Sequence, residues 1–443
     1  MLHNKPVKTA NNKDDALISS RDALAMLDVK SQTLYAYVSR GLIRVDPSSS
    51  ARARMYLRRD VEAVTAKGRS TRAATSAAER SLRWGGATVM HTAITFIGPG
   101  GPVYRGQCAL DLARAGRTFE ECTELLWNGA LPKEVPVWSA PTVPVAFPSY
   151  ARVICGAAPN NTSRHLLALV ANAYIATVER SGPGEPGRHE RDARQLIQVL
   201  ASAFGLLRSK PRLMPPTAPD SVATLVAKSS GIAISRPTIA ALSACLVIAA
   251  DHELTPSTFV ARIAASAGAD TMSCITSALA SFEGQQNGLG CDECEQALLT
   301  AGSRNTYLAA IAKSLAELRP VAGYNHFVYP DGDPRGDYLL EIATQLTGKQ
   351  AANAWMVSWI GTAHKQLGVR PSVVAGLVAV CAALGMPRRS AGALMALSRT
   401  AGWLAHSTEQ RLSGVAWRCG PARAISASAR PSSERPHHQL RAV

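Results

Sequence analysis

The feature that most constrains the fold is a long succession of blocks in which apolar residues recur at intervals of three and four. Such blocks begin near residues 164, 191, 237, 256, 305 and 351, with glycine or proline between them. This spacing places the apolar side chains on one face of a helix, and glycine or proline ends each helix. The sequence therefore predicts a large, mainly α-helical domain.

Two segments before the helical blocks have a different pattern. The string ATVMHTAITFIGPGGPVYRG, from Ala87, alternates branched and polar residues around a Gly-Pro turn, which is typical of a small β-hairpin. Residues 17–68 contain short amphipathic segments, and the polar residues 69–83 are interpreted as a linker. Residues 1–16 and 425–443 are polar without apolar periodicity, so disorder is predicted at both ends.

The positive charge of the chain is concentrated at its ends. Of a formal net charge of +16, residues 1–80 contribute 15 Lys and Arg against 8 Asp and Glu, and residues 410–443 contribute 6 against 1. Lysine and arginine gain free energy by displacing counterions from phosphates, so a basic end module indicates a polyanionic partner. A solvated basic surface is the alternative.

Cysteine usage and the lack of a targeting segment predict a cytoplasmic protein that neither spans nor binds a membrane. The 443 residues include nine scattered cysteines, an odd number that favours reduced thiols over a disulfide framework. No apolar run has membrane-spanning length, and the amino terminus lacks the apolar core of a secretory signal. The lone pair Cys291 and Cys294 favours two half-buried thiols on one helical face over a metal site, and no metal is expected.

The basic amino-terminal unit contains two short helices with a tight break. In LISSRDALAMLDVKSQTLYAYVSRGLIRVD, Ser20 is predicted to cap the first helix and Ser31 the second, which stops at Gly41. With the following RMYLRRDVEAV, the unit resembles the winged helix-turn-helix units of excisionases and MerR-like regulators. A protein-interaction module is the alternative to DNA binding.

That resemblance implies which side chains would contact DNA. The second helix would enter the major groove, and a basic wing would follow the phosphates. The implied contacts are Gln32, Thr33 and Tyr35 near the bases and Arg40, Arg52 and Arg54 on phosphates.

Three segments of the helical region concentrate functional residue types. His252 lies in AADHELTPSTFVARI, between the end of one apolar helix and a new start at Pro256; His326 and Arg335 lie in VAGYNHFVYPDGDPRGDYL, which is interpreted as a loop. Arg399 lies inside the apolar helix LMALSRTAGWLAHSTEQR. Taken singly, such histidines are more often satisfied core groups, and a buried arginine needs an anionic or polar partner.

Taken together, these segments resemble the citrate synthase family. The resemblance rests on YRG at Tyr104, DHELTPSTF, FEGQQNGLG, GYNHFVYPDGDPR and SRTAGWLAH, in that order, and covers about residues 88–424. The separations of 35 residues from His252 to Asn287 and 9 from His326 to Arg335 fit the family without a gap. It implies an all-helical fold with a large subdomain, residues 84–288 and 387–424, and an inserted small subdomain, residues 289–386.

The family joins an acyl-CoA to oxaloacetate. A carboxylate removes a methyl proton from the thioester, one histidine stabilises the enolate oxygen, and another polarises the ketone that the enolate attacks. By position, the resemblance implies that His252 binds the keto acid, His326 polarises its carbonyl, and Arg335 and Arg399 bind its carboxylates. No cofactor is implied; the CoA thioester would be a substrate.

Three positions of that implied site differ from the family. Asn287 stands where the family has its loop histidine, and Val374 stands where it has the carboxylate. The arginine that the partner subunit usually contributes corresponds to Arg418 or Arg423 in WRCGPAR, neither in the expected frame. Valine cannot accept a proton, whereas an asparagine amide can still donate to an oxyanion.

The sequence leaves three hypotheses. The first is a divergent citrate or 2-methylcitrate synthase, an acyltransferase that turns over slowly or is active only beside an intact partner in a mixed dimer. The second is an oxaloacetate- or citrate-sensing DNA-binding regulator, whose two-fold homodimer would present paired recognition helices. The third is a pseudoenzyme that forms a heterodimer with an intact paralogue. Asp292 and Glu293 are the acidic residues nearest in sequence that could replace the missing base.

Overall fold

The computed structural model describes residues 16–27, 29, 31, 34, 37–38, 43–46, 49, 54–62, 64–65, 92–156, 163–178, 187–282, 289–346 and 353–414. Its contacts separate two compact units, one before residue 88 and one from residue 88 onward. The predicted tails and the 69–83 linker lie almost wholly outside the described residues. The division of the second unit into large and small subdomains stays a prediction.

The first unit has a small core of its own. Strand β1 (Leu17–Ser19) is followed directly by helix α1 (Ser20–Leu27), and β1 pairs antiparallel with strand β2 (Met55–Leu57). Its buried apolar side chains include Ile18, Ala23, Leu27, Leu34, Ile43, Tyr56 and Val61. Residues 58–62 are helical and follow β2 directly.

The amino-terminal cap of α1 lies one residue earlier than predicted. The Ser19 hydroxyl accepts a hydrogen bond from the Asp22 N–H at 3.2 Å and donates to the Asp22 carboxylate at 2.7 Å. Ser20 is the first helical residue, because the extended conformation that a capping residue needs belongs to the last residue of β1. Most of the second predicted helix lies outside the described residues.

The second unit begins with the predicted hairpin. Strands β3 (Thr95–Gly98) and β4 (Gly101–Tyr104) pair antiparallel with Gly98 opposite Gly101, and a short strand β5 (Gln107–Cys108), which was not predicted, pairs with β4. Gly101 has φ +115°, a conformation that favours glycine, so the turn depends on this residue.

Helices form the rest of the described second unit, as predicted. They are α2 (Ala109–Arg114), α3 (Phe119–Asn128), α4 (Phe147–Gly156), α5 (Ser163–Thr177), α6 (Arg188–Ser202), α7 (Val222–Ser230), α8 (Arg236–Ile248), α9 (Pro256–Ser266), α10 (Thr271–Phe282), α11 (Leu289–Ala301), α12 (Arg304–Ala316), α13 (Pro334–Leu346), α14 (Ala354–Leu367), α15 (Val373–Ala383) and α16 (Ser390–Ser413). A short 3₁₀ helix (Ala203–Leu207) follows α6.

Two close helix crossings bring the polar segments together. Helix α16 is buried along most of its length and packs on α9 and α10. Helices α13 and α15 approach unusually closely, because a Cβ on Gly376 would lie 2.7 Å from Leu339 Cβ, and one on Gly336 would lie 2.6 Å from the Ser372 carbonyl. Glycine is therefore required at that crossing.

The described residues show where the predicted pair of thiols lies. Cys291 and Cys294 are three residues apart on α11 and neither forms a disulfide. Both are fully buried rather than half-buried because the helix packs into the core at that face. No group of side chains suited to a metal ion occurs among the described residues. Within the same residues, no helix combines the length and the apolar character needed to cross a membrane.

Candidate active site

The described second unit brings four of the predicted site residues together. His252 follows α8, His326 lies between α12 and α13, and Arg399 is buried inside α16. The imidazole centroids of His252 and His326 are 5.5 Å apart. Arg335 is not in a loop, as the sequence suggested, but in the first turn of α13, because proline is well tolerated at the first helical position and starts the helix at Pro334.

His326 is held as a neutral ring with a defined tautomer. The Val328 N–H donates to its Nδ1 at 3.2 Å, so the neutral ring carries its proton on Nε2. Burial and the nearby Arg335 guanidinium lower the pKa of His326 to about 4. The ring stacks on Phe327, with centroids 5.0 Å apart. His326 can therefore donate one hydrogen bond from Nε2 near neutral pH.

His252 is a second neutral imidazole. Burial, followed by the positive charges of Arg335 and Arg399, lowers its pKa well below the usual value. Its Nε2 is buried and has no hydrogen-bond partner among the described residues. A buried polar atom without a partner costs free energy, so this nitrogen is suited to a ligand.

Arg335 is clamped by a buried carboxylate. Its Nε and Nη2 donate to the two Asp333 carboxylate oxygens at 2.8 and 2.9 Å, and its guanidinium lies 5.0 Å from the Tyr329 ring centroid. Burial opposes both charges, but the ion pair outweighs it, so the pKa of Asp333 is lowered and that of Arg335 is raised. This bidentate pair fixes the arginine and leaves Nη1 outside the pair.

Arg399 is held more loosely. Its Nη2 donates to the hydroxyls of Thr255 and Thr258 at 2.9 and 3.1 Å. The nearest carboxylate, that of Asp251, has Oδ1 3.8 Å from Nη2, and Arg399 Nε is buried without a hydrogen-bond partner among the described residues. Burial and the charge of Arg335 lower the pKa of Arg399 against the opposing effect of Asp251.

Asp251 is anchored from several sides. Its backbone N–H donates to the Tyr104 hydroxyl at 3.2 Å, and that hydroxyl donates to a carbonyl at the end of α8, so the hairpin fixes the residue that precedes His252. His406 on α16 lies 3.1 Å from Asp251 Oδ2. Burial alone would raise the pKa of Asp251, but His406 and Arg399 outweigh it and the pKa is lowered.

Val374 is linked to the site through the residue that precedes it. It is the second residue of α15, and the N–H of the preceding residue, Val373, donates to Asp333 Oδ2 at 2.8 Å. The Val374 side chain is partly exposed and faces Gly290 on α11, where a Cβ would lie 3.5 Å from it. The carboxylate that clamps Arg335 thus also fixes the start of the helix that carries Val374.

Other predicted contacts lie outside the described residues. These are Asn287, Arg418, Arg423, Gln32, Thr33, Tyr35, Arg40 and Arg52. Arg54 is described and exposed.

Residues 83–420 match the family model described as citrate synthase, C-terminal domain. The chain belongs to the citrate synthase family. Similar members include the citrate synthase of Saccharolobus solfataricus, 28% identical over 69% of this chain and 85% of that enzyme. The 2-methylcitrate synthase of Mycobacterium tuberculosis is 24% identical over 73% of this chain and 85% of that enzyme. Citrate synthase 2 of Bacillus subtilis is 33% identical, but over only 39% of this chain and 47% of that protein.

Solved citrate synthase structures share the fold. The enzyme of Thermoplasma acidophilum, in a ternary complex with carboxymethyl coenzyme A and oxaloacetate, has a TM-score of 0.66 at 22% identity and covers 79% of this chain and 96% of that one. The enzyme of Thermotoga maritima has a TM-score of 0.61 at 21% identity, covering 79% and 99%.

Sequence reasoning missed the residues that support the site. Asp333, Asp251 and His406 stand inside the quoted strings PDGDPR, AADHEL and TAGWLAH, but no role was assigned to them. An acidic residue directly before His252, and another two before Arg335, were the available signals. Only the structure shows that each carboxylate contacts an arginine.

Proposed function

We propose that this chain binds a dicarboxylic 2-keto acid of the oxaloacetate class in a citrate synthase-type site and condenses it with acetyl- or propionyl-CoA only slowly or not at all. The supporting observation is the convergence of two neutral histidines and two buried arginines beside a valine. Substrate binding and proton abstraction use different residues of such a site. Here the binding residues His252, His326, Arg335 and Arg399 are present, whereas the position proposed for the base is a valine.

The two guanidinium groups near the histidines, those of Arg335 and Arg399, suit a ligand with two negative charges. Arg335 keeps Nη1 outside its pair with Asp333, and Asp251 lies 3.8 Å from Arg399, beyond hydrogen-bond distance. Each guanidinium is thus proposed to bind one carboxylate of the keto acid. Arginine suits this role because its planar fork matches a carboxylate.

The two imidazoles supply neutral contacts. His326 would donate from Nε2 to the ketone oxygen and increase the electrophilicity of the carbonyl carbon. His252, whose buried Nε2 has no partner among the described residues, would hydrogen-bond the same ligand. Neither ring has to change protonation near neutral pH, because burial and the arginines lower both pKa values.

The step that fails in this proposal is removal of the thioester methyl proton. Val374 occupies the position of the general base, and removing such a base costs about 10² to 10⁴ in rate. Asn287 would still offer an amide donor to the enolate oxygen. The loss of the base therefore limits the reaction more than the loss of the loop histidine.

The two acidic residues on α11 differ as substitutes for the base. Gly290 faces Val374, and residues two apart on a helix point to nearly opposite sides, so Asp292 points away from Val374. Its charge instead acts on Glu295, which accepts from the Arg389 N–H at the start of α16. Glu293 lies one turn along the face of Gly290 and is exposed. Glu293 is thus the carboxylate to test.

Titration calorimetry tests keto-acid binding directly. We expect oxaloacetate to bind the full-length protein, and Arg399→Gln to weaken the affinity by about 30-fold or more, because truncating one partner of a buried charge pair costs roughly 2–5 kcal/mol. Lys313→Gln, which removes an exposed positive charge from α12, is the matched control and should leave the dissociation constant unchanged. Absence of binding by the wild-type chain would refute the proposal.

A second candidate, a ligand-responsive DNA-binding regulator, is favoured by the first unit. This unit has a core of its own, and it belongs to the most basic part of the chain. Arg44 is already engaged by Asp60 in a bidentate ion pair, so the proposed phosphate contacts are Arg40, Arg52 and Arg54. In this reading, keto-acid binding in the second unit would alter DNA binding by the first.

A further inference from the structure

A chain of buried polar groups leads from Arg399 away from the keto-acid site. Asp251 lies next to Arg399, His406 contacts Asp251, and the Arg262 guanidinium contacts His406 Nδ1 at 3.2 Å. Arg262 in turn bonds Glu409, and its Nε donates to Gln410 at 3.1 Å. Asp251, His406 and Arg262 are all at least 97% buried.

The chain fixes the direction of each hydrogen bond. Arginine has only donors, so His406 Nδ1 must accept from Arg262. The neutral His406 ring then carries its proton on Nε2 and donates to Asp251 Oδ2 at 3.1 Å. Arg262 therefore orients His406 toward the carboxylate.

Asp251 is held by the oxygen that does not face Arg399. Oδ2 accepts from His406 and from the Glu253 N–H, the latter at 3.2 Å. Oδ1 is the atom 3.8 Å from Arg399 Nη2, and it has no hydrogen-bond partner at ordinary distance among the described residues. The Thr95 hydroxyl is near enough to help lower the pKa of Asp251, but it makes no regular hydrogen bond to Oδ1. The carboxylate balances the charge of Arg399 without occupying its donors, whereas Asp333 occupies two donors of Arg335.

We infer that His406 is a positioning residue for keto-acid binding: it holds Asp251 off Arg399, so that the guanidinium stays available for a ligand carboxylate. Without the hydrogen bond from His406, Asp251 would move about 1 Å and form a direct ion pair with Arg399, since such pairs close at roughly 2.8 Å. That pair would compete with the ligand. The inference rests on the proposed keto-acid site and adds a residue that does not touch the ligand.

Oxaloacetate affinity of the full-length protein, measured by calorimetry, tests the role of His406. His406→Leu and His406→Met fill a similar buried volume without a hydrogen bond, and we expect either to weaken binding about tenfold, the usual scale for supporting residues. His406→Gln keeps a donor and an acceptor, and we expect its dissociation constant to stay within about twofold of wild type. A Gln variant as weak as the Leu variant would overturn the inference.

A double-mutant cycle separates positioning from general destabilisation. If His406 acts through Arg399, His406→Leu should cost less than about twofold in an Arg399→Gln background, since coupled residues are not additive. In an Arg335→Lys background, the same change should keep its full effect, because Arg335 pairs with Asp333 instead. An equal cost in all three backgrounds would contradict the role of His406.

The outcomes also separate this inference from the proposed function. Oxaloacetate binding by the wild type with unchanged affinity in both His406→Leu and His406→Met would refute the inference and leave the proposed function standing. Absence of binding by the wild type would refute both. Thermal unfolding of each variant shows whether an affinity is measured on folded protein.

Discussion

At the scale of single residues, burial and two arginines set the protonation states of the candidate site. His252 and His326 stay neutral because their charged forms would be desolvated and would face Arg335. Asp333 keeps its charge because it lies beside Arg335, and Asp251 keeps its charge because His406 and Arg399 outweigh burial. The site thus combines uncharged hydrogen-bonding rings with positive charge, and this combination suits the proposed keto dicarboxylate.

The lowered pKa of His326 makes stability depend on pH. Its usual value is 6.5 and its value in the fold is about 4, so the unfolded chain binds this proton first as pH falls. The free energy of unfolding should decrease from about pH 6.5 to about pH 4, by roughly 1–3 kcal/mol at about 1.4 kcal/mol per pKa unit with some solvent screening. Denaturant unfolding at a series of pH values measures this decrease in the free energy of unfolding.

The variant His326→Gln is the control for that pH dependence. Because glutamine does not titrate, this part of the slope should disappear, while the contribution of His252 remains. An unchanged slope between pH 6.5 and 4 in the variant would contradict the assignment of a neutral buried His326.

At the scale of elements, the crossing of α13 and α15 sets the distance between Arg335 and Val374, the residue proposed to stand in place of the general base. Arg335 lies in the first turn of α13 and Val374 in the first turn of α15. Asp333 bridges the two by bonding the Arg335 guanidinium and the Val373 N–H. The glycines at the crossing are what let the helices approach.

Adding one methyl group at this crossing should be costly. A Cβ on Gly336 would lie 2.6 Å from the Ser372 carbonyl, and overpacking of this kind typically costs about 1–3 kcal/mol. Gly336→Ala should therefore lower the free energy of unfolding by that amount. The matched control is Gly361→Ala on α14, where no atom lies within 4 Å and the helix should gain about 0.5–1 kcal/mol. Equal effects of the two changes would refute the close packing.

At the scale of the whole molecule, the chain combines a citrate synthase-type unit with a small basic unit. We propose that the chain forms a homodimer or a heterodimer with an intact paralogue. Arg418 is proposed to bind substrate in that dimer. A two-fold dimer would carry two copies of the basic unit, which is the geometry that a palindromic DNA site requires.

Salt dependence tests DNA binding by the first unit. If Arg54 contacts a phosphate, Arg54→Gln should reduce the slope of log affinity against log salt concentration by about 0.9. Arg58→Gln removes the same charge from a residue paired with Glu62 and outside the proposed contact set, so it should leave the slope unchanged. DNA affinity that does not fall with added salt would exclude this partner.

The sequence predicted the features that depend on local residue order. It did not predict the features that depend on side-chain contacts between distant segments. Helical periodicity and the hairpin turn followed from local patterns, whereas the grouping of His252, His326 and Arg399 followed from the resemblance to citrate synthases. The loop assignment of Arg335 was wrong because a proline at the start of a helix looks like a loop residue. The supporting roles of Asp333, Asp251 and His406 could not be predicted, since they depend on contacts of up to 155 residues in sequence separation.

The central claim, that the base is missing from a site that still binds the keto acid, is tested most directly by thiol release from acetyl- or propionyl-CoA with oxaloacetate. The wild type is compared with the double variant Val374→Asp, Asn287→His, and Glu293→Gln controls for a substitute base. We expect the double variant to be faster by about 10² or more, and Glu293→Gln to match the wild type. Wild-type turnover equal to that of the double variant, or lost in Glu293→Gln, would contradict the claim.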